Sequence, residues 1–340
     1  MKWLRGWGLY VGLVLLTGAL YGRNLLGDHR AVDHAEEPPA RTTTQAAAPP
    51  ELDVARLLQL SKERPGLLLV LAGWGALGVG IALTGLVLGV KDLTRARRVA
   101  HQEGLPYRWP LSEAGRVLLL VIVIVLLLPF VHMALSMRSL AWFEDAHAWS
   151  LVAMFLVHTV LLLVVWAFAS MHGLTVRTMF GLQWPRAARA IGRSLRGYAV
   201  AFPWIFGLLA LAAAVCERLG IEPPVEAIHE LVFLDGRPWI LALTLLLACV
   251  IGPIAEEIIF RGILFSALRT RMSALAAMLI SGSLFAAVHT NLIGFLPIVA
   301  LGVLLADRYE RTGSLAGPIA IHIAHNTLLM GVALTLKQLM

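Results

Sequence analysis

The sequence predicts an all-α protein, a polytopic transmembrane bundle of about nine helices. Three observations carry that reading. Of the 340 residues, 59% are hydrophobic and 14% charged, with mean hydropathy +0.78, values outside the range of soluble globular domains. The apolar residues fall into runs of about 18 or more, enough to cross roughly 30 Å of hydrocarbon as helices. The charge of the connecting loops alternates from run to run. Strands are not expected, because an open strand leaves its backbone groups unpaired in lipid.

Taken in order, Lys2 and Arg5 precede an apolar run from Trp7 to Leu20. No small-x-small cleavage site follows it directly, so an uncleaved anchor is expected. Residues 27–57 hold Pro38-Pro39, Thr42–Thr44, Ala46–Ala48 and Pro49-Pro50, the composition of a polar linker. Leu52, Leu57, Leu58 and Leu60 recur at helical spacing and suit a helix on the membrane surface. Apolar spans follow at Gly66–Val90, Val117–Leu135, Ser150–Met171 and Tyr198–Val215. Trp239–Ala255 has no charge and runs on through Glu256 and Glu257 to about Leu268. Ala274–Val288, Leu292–Ala306 and Ser314–Leu336 complete the set. The first two of these three are short and joined by a very short turn, so they suit either two spans or a re-entrant pair around a cavity. Cys216 and Cys249 lie in apolar segments and read as buried small hydrophobes, not as a disulfide or metal motif. Ala76–Gly80, Gly85–Gly89 and Gly282–Ala286 are small-xxx-small pairs that allow close helix packing.

The loops set the expected orientation. The 91–116 and 172–197 loops are rich in arginine, the second with Arg177, Arg186, Arg189, Arg193, Arg196 and no acid. The 136–149 and 217–238 loops carry Glu144, Asp145, Glu217, Glu222, Glu226, Glu230 and Asp235 against few bases. Basic loops collect in the cytoplasm, so the N-terminus is expected inside and the C-terminus outside. The net charge of +7 is therefore read as topology, and no nucleic-acid partner is expected. Arg186, Arg189, Arg193 and Arg196 form a stripe suited to an interfacial helix on anionic lipid.

Charge inside an apolar run is the informative exception. A charged side chain deep in hydrocarbon costs several kcal/mol, roughly 2.5–3.5 on insertion scales, and is tolerated where it faces a bundle interior or a hydrated cavity with partners. Glu256, Glu257 and Arg261 sit in such a run. At about 1.5 Å per residue, Glu256 and Asn326 lie about 18 Å from the expected inner surface, His322 about 12 Å and His289 about 22 Å. Glu257 and Arg261, Phe285 and His289, and His322 and Asn326 are each i,i+4 and share a helix face. Glu256 and Glu257 are about 100° apart on the helix. Pairing of Glu257 with Arg261 leaves Glu256 to face the cavity, where desolvation suits it to act as a general base. His132, His158 and His325 also lie in or near apolar stretches. Spacing leaves open whether His322 or His325 faces the cavity.

Glu256-Glu257-Ile-Ile-Phe-Arg261, Phe285-Ala-Ala-Val-His289 and His322-Ile-Ala-His-Asn326 resemble, in this order, the three motifs of the CPBP family. That family holds the CAAX prenyl proteases and bacteriocin-processing enzymes, also termed abortive-infection proteins, which are intramembrane glutamic endopeptidases. The resemblance covers about Leu182–Leu336. Composition and hydropathy give an anchor and linker over 1–65 and additional helices over 66–175, and the resemblance implies a CAAX-protease-like core over 176–340, with residues 1–110 outside the family core. The resemblance also implies metal-independent hydrolysis of membrane-associated or lipidated peptides or proteins without a cofactor. Glu256 would activate water with help from His289, His322 and Asn326 would stabilise the oxyanion, and Glu257, Arg261 and Phe285 would support the motif. A bacterial inner membrane is the expected location.

Two other classes compete. A membrane zinc metallopeptidase would use the same Glu and His types. The sequence has no His-Glu-x-x-His, since His229-Glu230 is followed by Leu231, Val232 and Phe233, and chelator sensitivity discriminates. A non-catalytic scaffold or immunity factor would keep its function when Glu256 is neutralised. The sequence shows no inverted repeat of the kind transporters carry.

Overall fold

The computed structural model describes residues 59, 62–94, 104–136, 145–221, 230–289 and 293–339. These form an all-helical membrane bundle, with no strand among the described residues. Eight principal helices appear: α1 Pro65–Thr94, α2 Leu111–Ser136, α3 Ala146–Met171, α4 Arg186–Leu219, α5 Pro238–Leu268, α6 Ala274–Ala287, α7 Phe295–Thr312 and α8 Ala316–Leu339. The expected anchor at Trp7–Leu20 and most of the surface helix before Glu63 lie outside the described residues. Six of the eight, α1 to α5 and α8, are long and apolar enough to cross a membrane. The lipid-length surfaces of α1 to α3 stay open, with Leu69, Leu83, Ile122, Leu163 and Trp166 exposed.

Several helices outrun the apolar spans that announce them. α4 begins at Arg186, twelve residues before Tyr198, because the arginine-bearing segment continues the same helix as a polar half. Arg189, Arg193 and Arg196 are exposed there, and Arg196 pairs with Asp92 at 2.6 Å. α7 runs to Thr312 and carries Asp307, Arg308, Glu310 and Arg311 beyond the apolar stretch. A helix continues as long as its hydrogen bonds do, whatever medium its side chains reach. Gly313, at φ +56°, ends α7 in the left-handed conformation that glycine adopts without strain.

α6 and α7 are the short pair. Their contact is made by glycine, since a Cβ on Gly302 would lie 2.8 Å from Gly282 Cα. α7 and α8 also pack on α4, and α1 packs on α4 and α8. Gly85 of α1 lies directly on the Ala199 carbonyl of α4. Trp74 of α1 packs over Gly331 of α8 and donates its Nε1–H to Thr335 Oγ1 at 3.2 Å. α2, α3 and α5 share the largest apolar core, around Trp109, Leu161, Phe168, Ile263 and Phe265. α5 packs against α2 and α3 and also against α6, α7 and α8.

Candidate active site

α5 does not keep one hydrogen-bond register. It widens into π-turns at Leu247–Ile251 and Ile258–Phe265, with an α-helical turn, Gly252–Glu257, between them. Proline in a helix interior removes a donor, and Pro253 stands at the join. The Gly252 N–H donates five residues back, to the Leu247 carbonyl. A Cβ on Gly252 would sit 2.8 Å from that carbonyl oxygen, so the tight turn suits glycine. π-turns within α-helices are frequent at functional sites.

Glu257 and Arg261 are completely buried and share a 2.8 Å charge-assisted hydrogen bond from Nη1 to Oε1. Arg261 Nη2 donates to the Gly302 carbonyl at 3.2 Å, and the guanidinium carbon lies 4.3 Å from the centre of the Phe285 ring. A Cβ on Gly302 would lie 3.4 Å from Arg261 Nη2, in contact with it but not in collision. The pair is thus held by two helices and one aromatic face.

His322 of α8 is 2% exposed, and its Nδ1–H donates to Glu257 Oε1 at 2.9 Å. An ionised carboxylate only accepts, so Nδ1 carries the proton. Its Nε2 faces Glu256 Oε2 at 3.6 Å. On the other side, His289 Nε2 is 3.9 Å from the same Oε2. His289 donates its Nδ1–H to the Phe285 carbonyl at 2.7 Å, four residues back, which again leaves Nε2 as the atom turned to Glu256. Phe285 meets His289 edge-on at 4.7 Å and His322 at 5.5 Å between ring centres. Glu256 is 32% and His289 34% exposed, whereas Glu257, Arg261 and His322 are enclosed.

The two carboxylates therefore differ in setting. Glu257 Oε1 accepts from both Arg261 and His322, although its Oε2 has no hydrogen-bond partner among the described residues. Glu256 Oε2 is a buried oxygen with no hydrogen-bond partner among the described residues, flanked by two imidazole nitrogens. Separations of 3.6 and 3.9 Å exceed a direct hydrogen bond and suit one bridging oxygen.

Asn326 lies one turn further along α8, and its Nδ2–H donates to the Ala248 carbonyl in the first π-turn at 2.8 Å. His325 points elsewhere. It is buried against α4, where its Nδ1 is 2.8 Å from Tyr198 Oη. The structure therefore brings Glu256, Glu257, Arg261, Phe285, His289 and His322 together, sets Asn326 beside them on the π-turn, and turns His325 away. The Ala248 and Gly302 carbonyls and Tyr198 were not anticipated. For Ala248 a signal exists, because Gly252-Pro253 inside an apolar helix announces a broken backbone ladder. Among the described residues, no group of three or more His, Cys, Asp or Glu side chains is arranged to hold a metal ion.

Residues 238–328, from the start of α5 into α8, match the family described as Type II CAAX prenyl endopeptidase Rce1-like. The C-terminal region is Rce1-like. All seven candidate residues fall within the Rce1-like segment. The chain is also similar to a Bacillus subtilis (strain 168) protein described as "Putative membrane peptidase YdiL", at 40% identity over 85 residues, 25% of this chain and 35% of that protein. It is 29% identical over 136 residues to an Escherichia coli protein described as "Uncharacterized 24.3 kDa protein", covering 38% of this chain and 63% of that one. The chain thus spans about a third and under two thirds of the length of these two relatives. No solved structure gives a significant match.

Proposed function

We propose that this membrane protein is an intramembrane endopeptidase in which Glu256 activates water to cleave a peptide bond of a membrane-associated or lipidated protein or peptide. The observation that carries this reading is the asymmetry of the two carboxylates. Glu257 is locked by Arg261 and His322, while Glu256 Oε2 is flanked by His289 and His322 at 3.9 and 3.6 Å. The Rce1-like match over the same residues supports the class of reaction.

In this mechanism a water between Glu256 and His289 loses its proton to Glu256 as its oxygen adds to the scissile carbonyl. The carbonyl oxygen becomes an oxyanion. His322, when both ring nitrogens are protonated, keeps Nδ1–H on Glu257 and donates from Nε2 to that oxyanion. Stabilisation of this kind is commonly the largest single catalytic contribution. Glu256 then returns the proton to the departing amine nitrogen as the C–N bond breaks, which restores the carboxylate. Arg261 and Phe285 hold Glu257 and the imidazoles in place. The catalytic core is taken to run over 176–340, in a bacterial inner membrane with the basic loops and N-terminus cytoplasmic.

The test is cleavage of a panel of farnesylated and unlipidated peptides by detergent-purified full-length protein, with and without a chelator. Cleavage that is indifferent to chelator supports the reading, and preference within the panel defines the substrate class. Loss on chelation moves the assignment to a metallopeptidase. A biological function that persists in a Glu256→Gln variant moves it to a scaffold.

A further inference from the structure

We infer that Asn326 is a positioning residue: its side-chain amide completes the hydrogen bonding of the π-turn Leu247–Ile251 and so sets the rotation at which α5 delivers Glu256. The inference rests on the proposed role of Glu256 as the base.

In an α-helix the Ala248 carbonyl would accept from the N–H of residue 252, and in a π-turn from that of residue 253. The Gly252 N–H is spent on the Leu247 carbonyl. Residue 253 is proline and has no N–H. Both main-chain donors are thus removed at one carbonyl inside an apolar helix, where an unpaired backbone group is costly. The Asn326 amide fills that position at 2.8 Å.

The consequence reaches Glu256 by geometry. Glu256 Oε1 lies over the same turn, 3.6 Å from where a Gly252 Cβ would be. A change of one residue in helical register turns a helix by about 100°, enough to carry Glu256 away from both imidazoles. His322 and Asn326 are i,i+4 on one face of α8 and touch α5 at Glu257 and at Ala248, respectively. Below the turn α5 is also held by Arg261 on the Gly302 carbonyl and by Ser281 on the Phe260 carbonyl, so the Asn326 contact acts on the π-turn segment that leads into Glu256.

The test compares Asn326→Ala, Asn326→Asp, Pro253→Ala and the double variant Asn326→Ala/Pro253→Ala in the full chain. Asn326→Asp is close to isosteric, lacks the donor, and serves should the alanine variant not fold. Hydrogen exchange of peptides covering residues 244–258 is the readout that needs no turnover. Loss of Asn326 is expected to speed exchange there tenfold or more. Pro253→Ala, which restores an N–H to the broken ladder, is expected to recover most of that protection in the Asn326→Ala background. With a farnesylated CAAX-terminated peptide as probe, Asn326→Ala should lower kcat more than KM, and the double variant should regain at least tenfold of kcat. Wild-type exchange in Asn326→Ala and Asn326→Asp would overturn the inference, and with activity lost it would place Asn326 on the reacting atoms. Absence of rescue by Pro253→Ala would also overturn it. Failure of the wild type to cleave the probe would count against the role of Glu256, while the exchange arm still decides the role of Asn326 in the turn.

Discussion

Glu257 and His322, 65 residues apart in sequence, meet in a buried 2.9 Å hydrogen bond that ties the motif helix α5 to α8. The same carboxylate oxygen accepts from Arg261. One fully enclosed anion thereby orients an imidazole and is neutralised by a guanidinium, and the neighbouring Glu256 keeps its own oxygen for other work.

Removing Arg261 should therefore cost more than an exposed ion pair would. Breaking a buried pair by deleting one partner leaves an uncompensated charge and costs roughly 3–5 kcal/mol. Arg261→Ala is expected to lower the unfolding temperature of the detergent-purified protein and to abolish peptide cleavage. Arg261→Lys is expected to fall between it and wild type, because an ammonium cannot reach both Glu257 and the Gly302 carbonyl as a planar fork does. Thermal unfolding of the three proteins checks the order.

The glycine contact between α6 and α7 gives a second test. Gly302→Ala would bring a methyl carbon to 2.8 Å from Gly282 Cα, which is backbone and cannot swing aside. Overpacking of this kind costs about 1–3 kcal/mol. The variant is expected to unfold at lower temperature and to lose activity, because the helix that yields carries the carbonyl on Arg261. Gly80→Ala meets open space and is expected to leave both unchanged.

His322 and His325 should separate cleanly. Tyr198→Phe removes the hydroxyl that pairs with His325 and leaves a buried ring nitrogen without that partner, at a cost of about 1–3 kcal/mol. Its effect is expected in thermal stability with kcat close to wild type. His322→Ala is expected to remove activity. Equal loss of activity in both variants would contradict the placement of His325 away from the reaction.

A pH test concerns the end of the bundle where α3 and α5 begin. Asp145 caps α3 by accepting from the His147 and Ala148 N–H groups, both at 3.1 Å. Arg237 pairs with Asp145 and with Asp235, and His147 Nδ1 lies 2.7 Å from Asp235. The Arg237 hydrogen bond, aided by the cap, lowers the Asp145 carboxyl to about 2. The same guanidinium holds the Asp235 carboxyl well below its ordinary range. A carboxyl lowered in the folded state contributes stability above its unfolded value of about 3.9, and that contribution is lost as pH falls toward the folded value. The gap in unfolding temperature between wild type and Asp145→Asn should be full at neutral pH, narrow below about pH 4 and close near pH 2. A gap that persists unchanged at low pH would contradict the ionic origin of the clamp.

Much of this arrangement is visible in the sequence, for reasons that differ by residue. The all-helical membrane fold follows from the length of the apolar runs. Glu257 and Arg261 are legible as a pair because i,i+4 spacing is local geometry. Counting residues along three helices suggests that Glu256, His289, His322 and Asn326 belong to one site. What is not legible depends on contacts between helices. The Gly302 carbonyl under Arg261 comes from a backbone group, which no residue type announces. The choice between His322 and His325 is made by Tyr198, 127 residues away, and by the rotation of α8. The π-turns depend on where Asn326 meets α5, so Gly252-Pro253 shows only that the ladder breaks and not how it is repaired. The Arg186–Arg196 stripe is legible as helix, but its continuity with the apolar part of α4 and the polar end of α7 are not, because hydropathy marks the hydrocarbon, not the helix.

The most direct measurement is the kcat of Glu256→Gln for a cleaved peptide, beside its unfolding temperature. General-base catalysis contributes roughly 10²–10⁴-fold. The glutamine is isosteric and the Glu257–Arg261–His322 cluster does not depend on it. For this variant kcat is therefore expected to fall at least a hundredfold while the unfolding temperature stays within a few degrees of wild type. Cleavage within tenfold of wild type by the folded variant would contradict the assignment of Glu256 as the group that activates water.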